Sequence, residues 1–455
     1  MTVMKITTFS KDLFGLSDFA KRIEKFINIE HEYVEGGLVV ALSSKFGSGK
    51  TTFLQMWKSK MEDSEEQSDK PFVISLNAWE SDYYGDPLFA IISSLVDCLQ
   101  EKGNSADTLI EAAKDFGWFT TAIGRQIVKK MSGIDPLEAG EFAEKKKTDR
   151  TNNFTHLPLD TFSIYQGRKE AMKKLKEAIR SFVAASQPRV LFLVDELDRC
   201  RPDYAISYLE TIKHIFDIKG AVFILAADRQ QLANSAKTAF GPDLDFEEYY
   251  RKFIHREITL PPISSSGYSK LVSAYVSHYL ERDNTRNCFM KIDCDREKNI
   301  SELIESLKLT PRQIQEVFRI LGHVFETSED NKGRLRWCLA VGTIAMAALK
   351  TGNPRIYQLI GTQQFEPKEA FEFLSNLINE ERNAEWWFFL FLTGGGIKKV
   401  AEESFEDVVI KADIGKTGEE SEYLSRIGQW REGWGNGSRR FVEIYDKIEQ
   451  LSQWN

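Results

Sequence analysis

The sequence has no Cys-x-x-Cys pair, its 5 cysteines (Cys98, Cys200, Cys288, Cys294 and Cys338) being scattered along 455 residues. Such spacing supports neither a disulfide framework nor a zinc site, and the nearest pair, Cys288 and Cys294, reads as two thiols. Long apolar runs are missing too: none approaches the roughly 18–20 uninterrupted apolar residues that crossing a bilayer needs. The most apolar stretches, residues 116–124 and 386–393, are each less than half that length and read as core. Positive charge is not in excess either. With 60 Lys+Arg against 68 Asp+Glu the formal net charge is −8, so the chain as a whole has no attraction for phosphate backbones or anionic lipid. The opening MTVMKITTFSKDLFGLSDF lacks the apolar core and small-residue cleavage site of an export signal, and a cytoplasmic protein is expected.

What is present is apolar material for more than one core, 42% of a chain whose length suggests two or three domains. Short β-rich runs alternate with helical patterns: LVVALS at Leu38, FVISLN at Phe72, VLFLVDE at Val190, AVFILAA at Ala221 and EITLP at Glu257. Runs apolar on both faces are strands covered by helices on both sides, which predicts an α/β fold with a parallel sheet. The second and third runs lie too far apart for an ordinary crossover, so an insertion over about residues 101–168 is expected, flanked by predicted helices at 87–99 and 167–185. Within it EKKKTDRTNN, from Glu144, reads as a surface loop. After Pro261 and Pro262 the strand pattern stops. This predicts a core over 1–265 and a mainly helical lid and C-terminal domain over 266–455. Thr310, Pro311 and Arg312 read as a helix start, with threonine as N-cap and proline at the first helical position.

The chemistry falls at the ends of strands. LVVALS runs into SKFGSGKTTFLQMW, a glycine-containing turn opening a helix, which aims backbone N–H groups and the positive helix end at an anion. Here Ser44, Phe46, Gly47, Ser48, Gly49, Lys50, Thr51 and Thr52 would wrap nucleotide phosphates, Lys50 reaching the β- and γ-phosphates and the Thr51 hydroxyl holding Mg2+. Ser44 stands where the G-x-x-x-x-G-K-[ST] pattern has its first glycine, while Gly47 and Gly49 still allow close approach. VLFLVDELDRC sets Asp195 and Glu196 at the end of the third run, where open α/β sheets bind ligands. Asp195 suits the metal through water, and Glu196 suits a general base. Asp228, ending AVFILAAD, either orients the attacking water or caps the next helix. For a cation on the γ-phosphate the candidates are Arg312, and Arg251, Lys252 and Arg256 serving a neighbouring subunit, with Arg312 and Lys252 the stronger pair.

In this order SKFGSGKTT, SLNAWESDYYGDPLFA, VDELDRC, FILAADRQQL and YYRKFIHREITLPP resemble the KAP family of P-loop NTPases, over roughly the first three-quarters of the chain. The N-A-W-E box around Trp79 and the D-E-L-D-R-C box are the most specific. The resemblance implies an ATPase core of the additional-strand class with a helical lid, ATP and Mg2+ as ligands, and Lys50, Thr51, Asp195 and Glu196 at the nucleotide motif positions. Many members carry two transmembrane helices between the two nucleotide motifs; this insertion lacks them, so membrane attachment is not carried over. Phe46 stands where tryptophan is usual. KDLFGLSDFAKRI looks like a segment that packs on adenine, through Phe14 and Leu16; packing onto the sheet is the alternative. The function implied is an ATP-hydrolysing switch or assembly ATPase working with a protein partner or effector, with a homo-oligomer left open and a link to prokaryotic anti-phage defence. Two other readings stand beside it: a nucleotide-gated scaffold with little turnover, and a nucleic-acid-stimulated ATPase using Lys129-Lys130, Lys145 to Lys147 and Arg439-Arg440.

Overall fold

The computed structural model describes residues 6–63, 70–103, 105–117, 161–186, 188–280, 292–326, 336–414, 424–435 and 439–452. Cys288, Lys129-Lys130 and the charged segment from Glu144 with Lys145 to Lys147 lie outside the described residues. The other four cysteines are free thiols. The chain divides into two compact units, residues 1–46 with 50–261, and residues 47–49 with 262–455.

In the first unit five strands, β1 (Leu38–Ser43), β2 (Phe72–Asn77), β3 (Val190–Asp195), β4 (Ala221–Ala227) and β5 (Arg256–Thr259), form one parallel sheet in the order β2-β3-β4-β1-β5. β4 therefore stands between β1 and β3, and it is this extra strand that defines the additional-strand class. The apolar runs are the central strands, β4 being buried along its whole length. The last strand starts one residue earlier than EITLP, so Arg256 belongs to it.

Alternation along β1 shows how the sheet is covered. Leu38, Val40 and Leu42 point to one face, where they meet α1 (Ser17–Tyr33) and α2 (Lys50–Asp63) through Ile23, Ile27, Phe53 and Trp57. Val39 and Ala41 point to the other, packed among residues of α4 (Pro87–Glu101), α6 (Thr161–Ala185), α7 (Pro202–Ile215) and α8 (Arg229–Phe240). Between these run α3 (Ala78–Asp82) and α5 (Asp107–Gly117), and α9 (Phe246–Arg251) precedes β5. The helices expected at 87–99 and 167–185 are thus present and longer, and the first part of the insertion is itself helical. Asp86 starts α4 by accepting the Leu88 N–H at 2.9 Å, with Pro87 in the first helical position. Trp57 is fully buried, and its indole N–H donates to Glu24 at 2.8 Å, so the ring's polar edge has a partner.

The second unit is helical: α10 (Ser265–Leu280), α11 (Cys294–Ser306), α12 (Pro311–Glu326), α13 (Trp337–Gly352), α14 (Pro354–Gly361), α15 (Pro367–Leu377), α16 (Glu381–Thr393), α17 (Phe405–Lys411), α18 (Ile427–Trp434) and α19 (Arg440–Ser452). The Thr310 hydroxyl accepts the Gln313 N–H at 3.4 Å while the Gln313 side chain accepts the Thr310 N–H at 2.8 Å, a reciprocal cap that fixes the start of α12. Among the described residues no helix is long and apolar enough to cross a membrane.

α13 is apolar on all sides and buried nearly throughout, and Gly342 in its middle lets the Trp434 ring approach. A β-carbon at 342 would lie 2.4 Å from that ring. Alanine in place of a mid-helix glycine normally stabilises by roughly 1 kcal/mol. Overpacking a filled core costs about 1–3 kcal/mol. Because the Trp434 N–H is tied to the Thr393 hydroxyl at 3.1 Å, the ring cannot swing aside without losing that bond, so overpacking wins. Gly342→Ala is expected to lower the melting temperature recorded by near-UV circular dichroism; a higher melting temperature would show that the ring yields freely.

Candidate active site

β1 ends at Ser43 and α2 begins at Lys50, so residues 44–49 make the turn. Gly47 and Gly49 have φ of +76° and +102°, backbone that a side chain would strain, which accounts for both glycines. The 14-residue helix α2 then points its first N–H groups back at the turn. Lys50 is only 8% exposed, and its ammonium donates to the Ser44 carbonyl at 2.7 Å and the Lys45 carbonyl at 3.4 Å. The Asp198 carboxylate, equally buried, lies 3.9 Å away. A buried ammonium needs such partners, since leaving it unpaired costs several kcal/mol by desolvation alone (~3–5). Ser48 Oγ is buried with no hydrogen-bond partner among the described residues, a donor that a phosphate oxygen fits. Thr52 is half-buried in the first turn of α2, and Phe46 is 47% exposed.

The parallel register sets Asn77, Asp195 and Ala226 side by side at the C-terminal ends of β2, β3 and β4. Burial pushes the Asp195 carboxyl above its ordinary value, opposed by the neighbouring Thr51 hydroxyl and by the Glu196 N–H, which donates to it at 2.9 Å, and reinforced by the negative charges of Glu196 and Asp198. The start of α2 and the end of β3, far apart in sequence, meet here, since Thr51 and Asp195 line one cavity and the Lys50 ammonium stands 3.9 Å from Asp198. Thr51 and Asp195 are the pair that would hold Mg2+, one hydroxyl and one carboxylate. That is the sparse protein contribution expected where waters and substrate phosphates complete an octahedron. No group of three His, Cys, Asp or Glu side chains among the described residues is arranged for a metal ion. A cavity of about 700 Å³ opens beside them, lined among others by Asn77, Glu80, Tyr84 and Ser93.

Glu196 takes a left-handed backbone, φ 61° and ψ 25°, which for a residue with a side chain costs roughly 1–2 kcal/mol. The short 3-10 turn Leu197–Arg199 follows. One Glu196 oxygen pairs with the Arg199 guanidinium at 2.8 Å, and the other accepts the Asn77 amide at 3.3 Å. Arg199 in turn lies over the rings of Phe46 and Trp79, 4.9 and 5.6 Å from their centres. Cys200, last of the D-E-L-D-R-C box, is buried, and burial pushes its thiol up to about 12, so it packs rather than reacts.

Asp228 caps α8, accepting the Gln230 N–H at 2.9 Å, which is the capping alternative of its sequence reading. Its own N–H donates to Asp198 at 2.9 Å. Arg251 ends α9, Lys252 follows it, and both are exposed. Arg256 pairs with Glu30 at 2.8 Å and lies opposite Val40 in the register, about 10 Å back along the strand from the sheet's ligand edge. Arg312 stands in the first turn of α12, in the second unit. Leu16 is buried among the α1 and α2 side chains that cover the sheet, with Phe14 half-buried against them, the arrangement of the packing alternative.

Three residues at this site were not singled out from the sequence. Asp198, in the 3-10 turn after β3, bridges Lys50 and the end of β4, and nothing in the sequence beyond its place in the D-E-L-D-R-C box marks it. Arg199 and Asn77, the two donors to Glu196, sit inside the two most specific boxes. Nothing in the sequence shows that the boxes touch.

Among curated proteins none matches the sequence. Among solved structures, the Aeropyrum pernix ORC2 protein in ADPNP-ADP complexes aligns at 13% identity over 97% of this chain and 95% of its own, with a TM-score of 0.35. The Aeropyrum pernix ORC1 protein in complex with DNA aligns at 13% identity over 98% and 95%, with a TM-score of 0.34. With TM-scores this low, the fold assignment rests on the strand order and on the family match. The model of the KAP family P-loop domain matches residues 16–327, more than half of the chain, and the protein therefore belongs to the KAP family of P-loop NTPases.

Proposed function

We propose that this protein binds ATP with Mg2+ and hydrolyses it, using Lys50, Thr51 and the turn 44–49 for the phosphates and Glu196 as the base. The single observation that carries this reading is the approach of the Lys50 ammonium to Asp198 at 3.9 Å, because it brings the phosphate turn and the acid-ended strand to one point. Bound Mg2+ would neutralise charge developing on the phosphates, with Thr51 and Asp195 as its protein ligands. The chain's own part is positional. Lys50 exchanges loop carbonyls for phosphate oxygens, the N–H groups at the start of α2 face the same anion, and Asp198 keeps the Lys50 ammonium in place. Attack of water on the γ-phosphorus breaks its bond to the bridging oxygen of ADP, and the water's proton passes to the Glu196 carboxylate. Residues 1–265 form the catalytic core and 266–455 the helical lid and C-terminal domain of a nucleotide-driven switch, with Arg312 and Lys252 as candidate cations for the γ-phosphate and Asp228 as a candidate for orienting the water.

The test is binding of labelled ATP together with phosphate release over many turnovers, with Mg2+ and with EDTA. Mg2+-dependent binding and more than one phosphate per chain are expected; absence of ATP binding overturns the proposal. A second reading, a nucleotide-gated scaffold with low intrinsic turnover, is favoured by one observation, that both Glu196 oxygens are already engaged. Tight binding with no turnover, alone or with a partner, would select it. The anti-phage setting proposed for such a cycle is checked by plaque counts on cells carrying the wild-type chain or Lys50→Ala.

A further inference from the structure

We propose that Arg199 is a positioning residue that holds Glu196 aside, and that the Phe46 and Trp79 rings let the phosphate turn act on that hold. The proposal rests on the reading of Glu196 as the base.

Consider what the guanidinium touches. It carries five donors in a plane, so it can pair edge-on with a carboxylate while offering its face to rings. Its edge is 2.8 Å from Glu196, and its centre is 4.9 Å from the Phe46 ring and 5.6 Å from the Trp79 ring. All three contacts are within the distances at which the interactions act. The hold on Glu196 is therefore one of several partners competing for the same cation, and a small displacement of either ring changes the balance.

The two rings belong to different moving parts. Phe46 sits in the phosphate turn, two residues from Ser44, whose carbonyl Lys50 grips and would release to a phosphate. Trp79 sits in the first turn of α3, whose N-cap Asn77 accepts the Trp79 and Glu80 N–H groups at 3.1 and 3.3 Å. Asn77 is also the second donor to Glu196. Trp79 and the Asn77 amide are thus one piece, and Arg199 lies between that piece and the phosphate turn. Rearrangement of the turn around phosphates moves Phe46 relative to α3, and Arg199 is the side chain that feels the difference. Both rings are about half exposed, Phe46 at 47% and Trp79 at 52%, so their motion does not require a core to be opened. Loss of the Arg199 contact at 2.8 Å leaves the longer Asn77 bond at 3.3 Å on the Glu196 carboxylate, which is then more easily re-aimed.

The experiment is steady-state ATPase kinetics on the full chain with Arg199→Gln, Arg199→Lys and Phe46→Leu, alone and combined with Glu196→Gln. Arg199→Gln is expected to raise kcat about three- to tenfold with KM within twofold of wild type, since it removes a restraint on the base and nothing that touches ATP. Arg199→Lys keeps the charge on Glu196 but not the planar stacking, and should restore kcat toward wild type while uncoupling Phe46→Leu, which then has no further effect. In 5-fluorotryptophan-labelled protein, the resonance assigned by Trp79→Phe should shift on adding MgATP, and should not shift in Arg199→Gln. A kcat for Arg199→Gln that is unchanged, or lower with ATP binding intact, overturns the proposal. Failure of the underlying reading looks different: Glu196→Gln would then keep its turnover, and Arg199→Gln with Glu196→Gln would still be faster than Glu196→Gln alone.

Discussion

Lys50→Ala is expected to weaken MgATP binding by two orders of magnitude or more while leaving the chain folded. Hydrogen bonds to a charged group are worth about 1.5–3 kcal/mol each. Lys50 is placed to make more than one to phosphate, so the loss exceeds the 1.4 kcal/mol or so that corresponds to tenfold. The same substitution removes the ammonium that faces Asp198 at 3.9 Å. A buried carboxylate stripped of a charge partner can unfold a protein, which would make lost binding uninformative. Here the Asp198 carboxylate retains the Asp228 N–H at 2.9 Å, so the destabilisation is partial. The two effects separate in measurement: equilibrium binding of labelled ATP reads the first, and the melting temperature without nucleotide reads the second. Wild-type affinity in a folded Lys50→Ala protein would remove Lys50 from the phosphate site, and with it the assignment of the 44–51 turn.

Why Lys50 was legible from the sequence while Arg199 was not is a matter of range. The phosphate turn is local: a buried strand, two glycines with left-handed φ and a helix start follow one another within a dozen or so residues, and each has its own residue signature. The central strands were equally legible, because β1, β3 and β4 are covered on both faces and cannot carry polar residues until their ends. Strand order is not local. That β4 lies between β1 and β3, and that Asn77 comes level with Asp195, depends on parallel pairing between segments separated by long connections. Ring contacts such as those of Arg199 depend on that pairing in turn. Asp228 shows the remaining ambiguity, since the same acid at a strand end can cap a helix or face a ligand, and only geometry shows that its side chain caps α8. Element ends shift for a related reason: α6 begins at Thr161, six residues before the expected 167, because helix ends carry weaker sequence signals than helix middles.

Glu196→Gln is expected to bind MgATP as the wild type does and to lose turnover by about 10²–10⁴-fold, the range that positioned proton transfer contributes. The amide matches the carboxylate in size, and its oxygen can still accept from either Asn77 or Arg199, so the left-handed turn at 196 should persist. What it cannot do is accept a proton from the attacking water. The prediction is sharpened by Asp195 next door, whose carboxyl burial pushes above its ordinary value and which lines the same cavity as Thr51. An acid so placed is the natural rival for the role of base, and Glu196→Gln leaves it intact. Phosphate release under multiple turnover, with binding of labelled ATP as the control, therefore chooses between the two acids. Lost turnover with retained binding gives the role to Glu196. Turnover near the wild-type rate would transfer it to Asp195, and would make the Asn77 and Arg199 contacts on Glu196 structural ties at the end of β3.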